Sequence, residues 1–240
     1  MQKSIYLAII AIILVAIGFT ALMLILKYDE KGETNMPFEV TKISLISTAN
    51  AEDVKDDKNT WNKLVGEDND IYIYIDKNKN YTKKEIIEKV VLDNFIVVQE
   101  PKKGEVSIYR PSTNKDTIFE NKNEYISSEI IFTGEQSTEI QKLQISNQGG
   151  IIAFRCSNQS LGRFISNDSE IQHKDLLKKI NITDEELNFK VSFDMTIVLS
   201  GGKKFKGTIT LNLPVENSIE SGQSGKEITD LNLVFKRIEN

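Results

Sequence analysis

Hydrophobic and polar residues alternate most regularly in the last quarter of the chain. Every second residue of Phe189–Leu199 is apolar, and a similar alternation returns over Lys204–Leu213. A period of two is typical of a strand with one buried face and one solvated face. The intervening Ser200–Lys203 contains two glycines that accept turn conformations, and Pro214 closes the second run. The pattern therefore predicts an antiparallel hairpin.

Weaker alternation predicts further strands upstream and one downstream of this hairpin. They are Phe38–Ser47, Asp70–Asp76, Val90–Gln99, Val106–Tyr109, Tyr125–Phe132, Ile140–Ile145, Ile151–Cys156 and Leu231–Lys236. One helix is predicted over His173–Ile180, and Thr183 with Glu186 has capping-box spacing for a second helical turn.

Many short strands separated by turn residues favour a mainly β fold, an antiparallel, immunoglobulin-like β-sandwich. A soft boundary near Thr133–Thr138 would divide the region into a first sandwich over residues 38–134 and a second over 135–240. A single larger sandwich is the alternative.

The N-terminus has a different pattern, continuous apolarity. No charge interrupts Ile5–Leu26, which as a helix would extend roughly 33 Å, enough to cross a bilayer core. Lys3 and Lys27 flank the run as interfacial anchors. We therefore expect residues 1–26 to be a transmembrane signal anchor and residues 27–37 to be a juxtamembrane linker.

Two other interpretations of this apolar run fit less well. A cleaved signal peptide has a shorter apolar region and a small-x-small cleavage site, which this stretch lacks. The segment after Gly18 is similar to a type IV prepilin processing site, but Met23 stands where that family has Glu. Most of the apolar stem also precedes Gly18 rather than following it.

Charge counting leaves the orientation in the membrane open, because few basic residues flank the span. A very short N-terminal tail before a large C-terminal region favours a single-pass protein with that region outside the cell membrane. The chain carries 30 Lys and Arg against 35 Asp and Glu, a net charge of −5. Without a basic excess, nucleic acid is not an expected partner.

The stretch Asp76–Asn80 has the spacing that opens a calcium-binding loop. Such a loop needs Gly at its sixth position and Glu at its twelfth, where this chain has Tyr81 and Ile87. The preceding run alternates Ile with Tyr, so polar turn chemistry after a strand explains the same residues. We expect a turn here.

Other candidate chemistry is sparse. Cys156 shares a predicted strand face with apolar residues, which favours a small buried side chain, and a single cysteine allows no intramolecular disulfide. His173 is the only histidine and has no partners at metal-ligand spacing, so we expect it to be solvated at a helix start. Gly225-Lys226 lacks the other residues of a phosphate-binding loop. We predict no catalytic, cofactor-binding or metal-ligating residue and no cofactor.

Two large side chains lie beside predicted loops. Trp61 and Arg110 would suit a protein interface. The alternative is that Trp61 closes the end of the sandwich core and that Arg110 is solvated.

The segments DIYIYIDKN, IYRPS, SFDMTIVL and LNLPVEN carry a resemblance. Through them the whole chain resembles a group of uncharacterised single-span membrane proteins from low-GC Gram-positive bacteria. The resemblance implies a membrane anchor and a bacterial envelope setting. It implies no activity and adds no site residues.

These observations predict a membrane-anchored, extracytoplasmic binding or assembly module that is not an enzyme. Its expected partners are the lipid bilayer, through the N-terminal helix, and an unidentified protein or cell-wall component. A structural subunit of an envelope machine and a carbohydrate-active envelope enzyme are the alternatives, the latter because paired carboxylates could do glycosidase chemistry.

Overall fold

The computed structural model describes residues 14–18, 20–22, 36–54, 61–112, 119, 129–134, 143–166 and 172–238. The predicted span Ile5–Leu26 lies mostly outside these residues, and its described parts, 14–18 and 20–22, are helical. Within the described ranges, no helix combines the length and apolarity required to cross a membrane. Most of the predicted linker also lies outside the described residues.

Five antiparallel strands form the first sheet. In chain order they are β1 (Phe38–Val54), β2 (Trp61–Lys77), β4 (Glu105–Tyr109), β7 (Gly150–Ser166) and β10 (Gln223–Ile228). Their spatial order is β10-β1-β2-β7-β4. The three central strands are 17 residues each, so an extended strand of that length spans about 55 Å.

Six shorter strands form the second sheet. They are β3 (Ile87–Gln99), β5 (Ile130–Thr133), β6 (Leu143–Gln144), β8 (Phe189–Leu199), β9 (Lys204–Leu213) and β11 (Lys236–Ile238). Their spatial order is β11-β9-β8-β3-β5-β6, and every pair is antiparallel except β5 with β6. The fold is therefore mainly β, with two sheets packed in the manner of a sandwich.

The inward side chains of the two sheets form one apolar cluster, the sandwich core. Phe154 of the first sheet and Phe193 of the second meet edge to face with ring centroids 4.9 Å apart. Phe95 packs against both rings. Each sheet contains strands from both sides of residue 134, and this one core joins them.

The long strands of the first sheet extend past the second sheet, and helices cover the part that extends. They are α1 (His173–Lys179), α2 (Asp184–Leu187) and α3 (Ser218–Ser221). A second, smaller cluster packs between them and the sheet. This capped core consists of Ala49, Val65, Leu161, Leu176, Leu177, Ile182 and Leu187.

The regular alternation of the C-terminal hairpin is confirmed, because β8 and β9 have the predicted limits. The Thr183 capping box is also confirmed at the start of α2. Other predicted strands differ in length. Of Tyr125–Phe132, residues 125–128 lie outside the described residues, and the described strand begins at Ile130.

Two further predictions need correction, and two elements were missed. The strand predicted over Ile151–Cys156 continues for ten more residues to Ser166. Apolar periodicity missed that half because polar residues such as Asn158 occupy inward positions, although Leu161 still packs in the capped core. The strand predicted over Leu231–Lys236 begins only at Lys236, since Leu231 and Leu233 pack against the sandwich core without strand pairing. Strand β10 and helix α3 were not predicted at all, because both are short and mostly polar.

Candidate binding cleft and the polar layer behind it

An open cleft of about 570 Å³ lies where the end of the second sheet meets strand β10 of the first. Segments far apart in sequence line it. The lining residues are Leu45, Gln99, Asp184, Asn188, Phe189, Asn212, Leu213, Pro214, Val215, Glu216, Asn217 and Lys226. The cleft is therefore a product of the tertiary fold rather than of one motif.

The floor of the cleft is apolar and its rim is polar. Leu45, Phe189, Leu213 and Val215 are buried parts of the sandwich core. The rim carries amide side chains from four residues, namely Gln99, Asn188, Asn212 and Asn217. An apolar floor with convergent polar groups is the usual character of a ligand site.

Two carboxylates and one ammonium group set the charge of the rim. The Lys226 Nζ lies 3.3 Å from Glu216 Oε1, so these two charges offset each other. Asp184 has no side-chain partner among the described residues, and it lies exposed at the first turn of α2. The rim therefore retains one uncompensated negative charge, which favours a neutral or cationic group in a ligand.

The wall of the cleft turns sharply after β9. Pro214 ends the strand, and Asn217 adopts a left-handed conformation with φ of 68° before α3 begins. The Ser218 hydroxyl donates to the Val215 carbonyl and closes this turn. Gly222 ends α3 so close to His173 that a Cβ would lie 2.2 Å from the His173 carbonyl oxygen. Only glycine fits there.

A buried polar layer separates the sandwich core from the capped core. Ser47, Glu67, Asn69 and Asn158 are each 0% exposed. Ser47 lies opposite Asn69 across β1 and β2, and Glu67 lies opposite Asn158 across β2 and β7. Since Glu67 and Asn69 are two residues apart on one strand, all four side chains share the inward face.

Hydrogen bonds connect this layer to the cleft wall. The Val215 N–H donates to Ser47 Oγ at 2.8 Å, and the Ser47 hydroxyl donates to Asn69 Oδ1 at 2.6 Å. At the other end, Asn158 Nδ2 donates to the Lys103 carbonyl at 3.3 Å. Gly104 lets the loop of residues 100–104 come this close, because a Cβ there would lie 2.1 Å from Asn158 Oδ1.

The middle of the polar layer is unusual. Both carboxyl oxygens of Glu67, the Asn69 Nδ2 and the Asn158 Oδ1 have no hydrogen-bond partner among the described residues. Burial raises the pKa of Glu67 to about 8, and the nearby Asn69 amide offsets only part of that rise. Glu67 is therefore protonated over most of the neutral range.

Sequence reasoning missed this layer because its residues interrupt the apolar alternation. The only available signal was the polar interruption itself. Glu67 and Asn69 occupy the same strand phase as the buried Ile71 and Ile73 further along β2. That phase places a carboxyl group on an inward face, where it needs a partner or a proton.

A second depression, of about 640 Å³, lies on the outer face of the second sheet. There Asp93 and Asp194 are directly opposite each other on β3 and β8. The Lys206 Nζ lies 3.0 Å from Asp194 Oδ2 and 3.5 Å from Asp93 Oδ1. Burial opposes ionisation of Asp194, but hydrogen bonds from Asn94, Thr208 and Lys206 lower its pKa below the usual value. One lysine thus bridges both carboxylates.

The outer face of the first sheet carries an arginine that sequence reasoning also missed. Arg155 donates from Nε and Nη2 to the two oxygens of Asp70, at 2.5 and 3.0 Å, and its Nη1 lies 3.1 Å from Asp68. Its guanidinium carbon lies 4.5 Å from the centre of the Phe119 ring. Burial would lower the pKa of Arg155, but the two aspartates raise it. The guanidinium of Arg155 therefore makes these ion pairs and this ring contact within the same chain.

Cys156 lies in the sandwich core with 0% exposure, as a strand face shared with Ile152 and Phe154 predicts. Burial raises the pKa of its thiol far above the ordinary value. His173 is exposed at the first residue of α1, and its Nδ1 lies 2.7 Å from the Ala49 carbonyl oxygen. The histidine is therefore attached to β1 rather than only solvated.

Polar residues after β2 form a turn that contacts the backbone just before β1. Asn78 is buried, and its Nδ2 donates to the Met36 carbonyl at 3.0 Å. Its Oδ1 accepts from the Asn80 N–H at 2.9 Å, as in an Asx turn. The predicted turn is present, but it begins after Lys77, because Asp76 and Lys77 still belong to β2. Trp61 begins β2, and Arg110 is exposed just after β4.

Comparisons with known proteins add no relative. No protein-family model, curated protein or solved structure matches the chain. Within the described ranges, no three or more His, Cys, Asp or Glu side chains are grouped as metal ligands. The class that the structure defines is a two-sheet, mainly β protein with a side cleft.

Proposed function

We propose that this protein is a membrane-anchored, extracytoplasmic module that binds a protein or cell-wall partner in the cleft without chemical turnover. The observation that carries the proposal is the cleft itself, with its apolar floor and its rim of amides and one uncompensated carboxylate. Such a rim can orient a polar or cationic partner through hydrogen bonds. The paired carboxylates of the outer face, Asp93 and Asp194, share Lys206 and so do not supply a free acid and a free base.

The anchor part of the proposal rests on the apolar run Ile5–Leu26. Its described portion is helical and exposes large apolar side chains, namely Leu14, Val15, Ile17 and Leu22, to a degree of 52–71%. Exposed apolar side chains on a helix suit a lipid or a partner helix. With the span in the bilayer and the C-terminal region outside, the cleft would face the envelope.

The position of the cleft suits a partner held above the bilayer. Leu45 lies on β1 seven residues after Phe38, which is roughly 23 Å along an extended strand. Since the chain enters the sheets at Phe38 directly after the linker, the cleft would lie well past the point of attachment.

Site-specific crosslinking tests the cleft. A photoreactive residue in place of Asn212, on the rim, should capture a partner in intact cells that express the full chain. The matched control replaces Gln148, an exposed turn residue outside the cleft. If both positions capture the same molecules in equal yield, or neither captures any, the cleft is not the binding site.

Fractionation tests the anchor separately. The full chain should sediment with membranes, and protease added to intact cells should digest the β region. Ile17→Lys places a charge in the span, at a penalty of about 2.5–3.5 kcal/mol, and should shift protein out of the membrane fraction. Thr20→Ser is the conservative control. Equal membrane fractions for both variants would contradict an anchor formed by this run.

A further inference from the structure

The polar layer contains an incomplete chain of hydrogen bonds whose donors all point in one direction. From the cleft wall, Val215 donates to Ser47, and Ser47 donates to Asn69. At the far end, Asn158 donates to the Lys103 carbonyl. The gap lies between Asn69 and Asn158, and Glu67 occupies it.

The four unpartnered atoms complement each other if Glu67 carries a proton. The Asn69 Nδ2 is a donor and needs an acceptor, which a Glu67 carbonyl oxygen supplies. The Asn158 Oδ1 is an acceptor and needs a donor, which a protonated hydroxyl of Glu67, its cross-strand neighbour, supplies. One proton therefore completes the chain, whereas an ionised Glu67 would place an acceptor oxygen against the acceptor Asn158 Oδ1.

We propose that protonated Glu67 is the link in a hydrogen-bonded chain that fixes the cleft wall to the loop of residues 100–104, and that loss of this proton loosens the wall. The chain crosses strands β1, β2 and β7 and ends at Val215, which lines the cleft. Protonation of Glu67 thus stabilises the position of the cleft wall, whatever partner the cleft binds.

Other titratable groups around Glu67 do not replace it in this role. On its own strand Asp68 lies on the opposite face, where it contacts Arg155. From β7 the Cys156 thiol has a strongly raised pKa. The loop and α2 contribute Lys103 and Glu186, which pair with each other at 2.9 Å. From α1, His173 contacts the backbone of β1.

The sign of the pH effect follows from the direction of the shift. The pKa of Glu67 in the folded chain is about 8, above an ordinary value of 4.5, so folding takes up a proton between these pH values. The contribution of Glu67 to the free energy of unfolding is therefore greatest at low pH and falls as pH rises. The unfolding equilibrium constant should increase up to tenfold per pH unit in that window from this group alone.

Glu67→Gln tests the proposal, since an amide has the donor and the acceptor of the protonated acid at all pH values. Hydrogen exchange at the Val215 amide should be equally protected in wild type and E67Q at pH 6, and at least tenfold less protected in wild type at pH 9. Comparison at each pH cancels the intrinsic exchange rate and the effects of all other groups, which both chains retain.

An exposed matched control is Glu39→Gln on β1, which should leave the wild-type pH profile unchanged. The infrared difference between wild type and E67Q at pH 6 should show the carbonyl stretch of a protonated carboxylic acid. An ionised carboxylate in that spectrum would overturn the proposal. So would equal Val215 protection in both chains at pH 9, or an E67Q variant that loses protection at every pH.

Discussion

The sandwich core and the capped core are built on the same three long strands, yet they are closed in different ways. A second sheet covers the first region with large aromatic and branched side chains. Three short helices and loops cover the second, in which seven apolar residues of the described ranges are buried. The polar layer lies between them. Sheet length and core size are therefore separate properties, and the part of a sheet that extends past its partner sheet needs another cover.

This comparison predicts unequal stability. Burial of apolar area is the main stabilising term, so the larger core should determine global unfolding. The capped core contains few apolar contacts, and helices α2 and α3 are single turns of four residues each. Regions of that kind open locally at a lower free energy than the whole domain. Four substitutions test this contrast.

The largest expected effect is Phe193→Ala in the sandwich core. Phe193 is 1% exposed and touches two other aromatic rings, so its removal leaves a cavity between the sheets. We expect a loss of about 3–5 kcal/mol in the free energy of unfolding, measured by urea denaturation. Ile96→Ala, on an exposed side chain, is the control and should change stability little. Similar losses in the two variants would refute the assigned core.

Leu177→Ala in the capped core should cost less, about 2 kcal/mol, because this small cluster can open without unfolding the sandwich. Hydrogen exchange should accelerate in α1 while the centre of β8 keeps its protection. Lys174→Ala, on the exposed side of the same helix, is the matched control. A uniform loss of protection across β8 would show that the two cores unfold as one unit.

Arg155→Ala addresses the outer face of the same strands. The change leaves Asp68 and Asp70 without their cationic partner. We expect a loss of about 2 kcal/mol in the free energy of unfolding, because these ion pairs are only partly buried. Arg155→Lys keeps the charge but loses the two-pronged contact with Asp70, so it should recover part of the loss. Thermal denaturation of the three chains provides the measurement. Equal melting temperatures for all three would contradict an internal role for the arginine.

Asn78→Ala should have the smallest effect, about 1 kcal/mol, at the end of the sheets remote from the capped core. It removes the hydrogen bond to the Met36 carbonyl and the acceptor for Asn80. Exposed Lys79→Ala in the same turn is the control. Urea denaturation of both variants measures the effect, and equal stabilities would mean that the Asn78 contacts contribute nothing to folding.

The sequence predicts the sandwich half of the fold better than the capped half. Strands β8 and β9 could be placed because nearly every inward residue is apolar. The distal halves of β1, β2 and β7 could not, because Ser47, Glu67 and Asn158 occupy inward positions. Apolar periodicity does not recognise a buried side chain that is polar.

The cleft could not be predicted from the sequence for a related reason. The cleft joins Leu45 and Gln99 with residues 184–189 and 212–226, and no local pattern brings such segments together. The contact of Arg155 with Asp70 likewise depends on the register of β2 against β7. The sequence alone shows which residues are present, but it does not show which strands pair or in which register.

Residue-resolved hydrogen exchange on the wild-type chain tests the central contrast most directly. Amides in the middle of β8, from Val191 to Ile197, should exchange only through global unfolding, with the highest protection. Amides of α1 and of Ala49, which pairs with Gly222, should exchange through a smaller opening with lower protection and little denaturant dependence. The same free energy and denaturant dependence in both groups would contradict two cores of unequal stability.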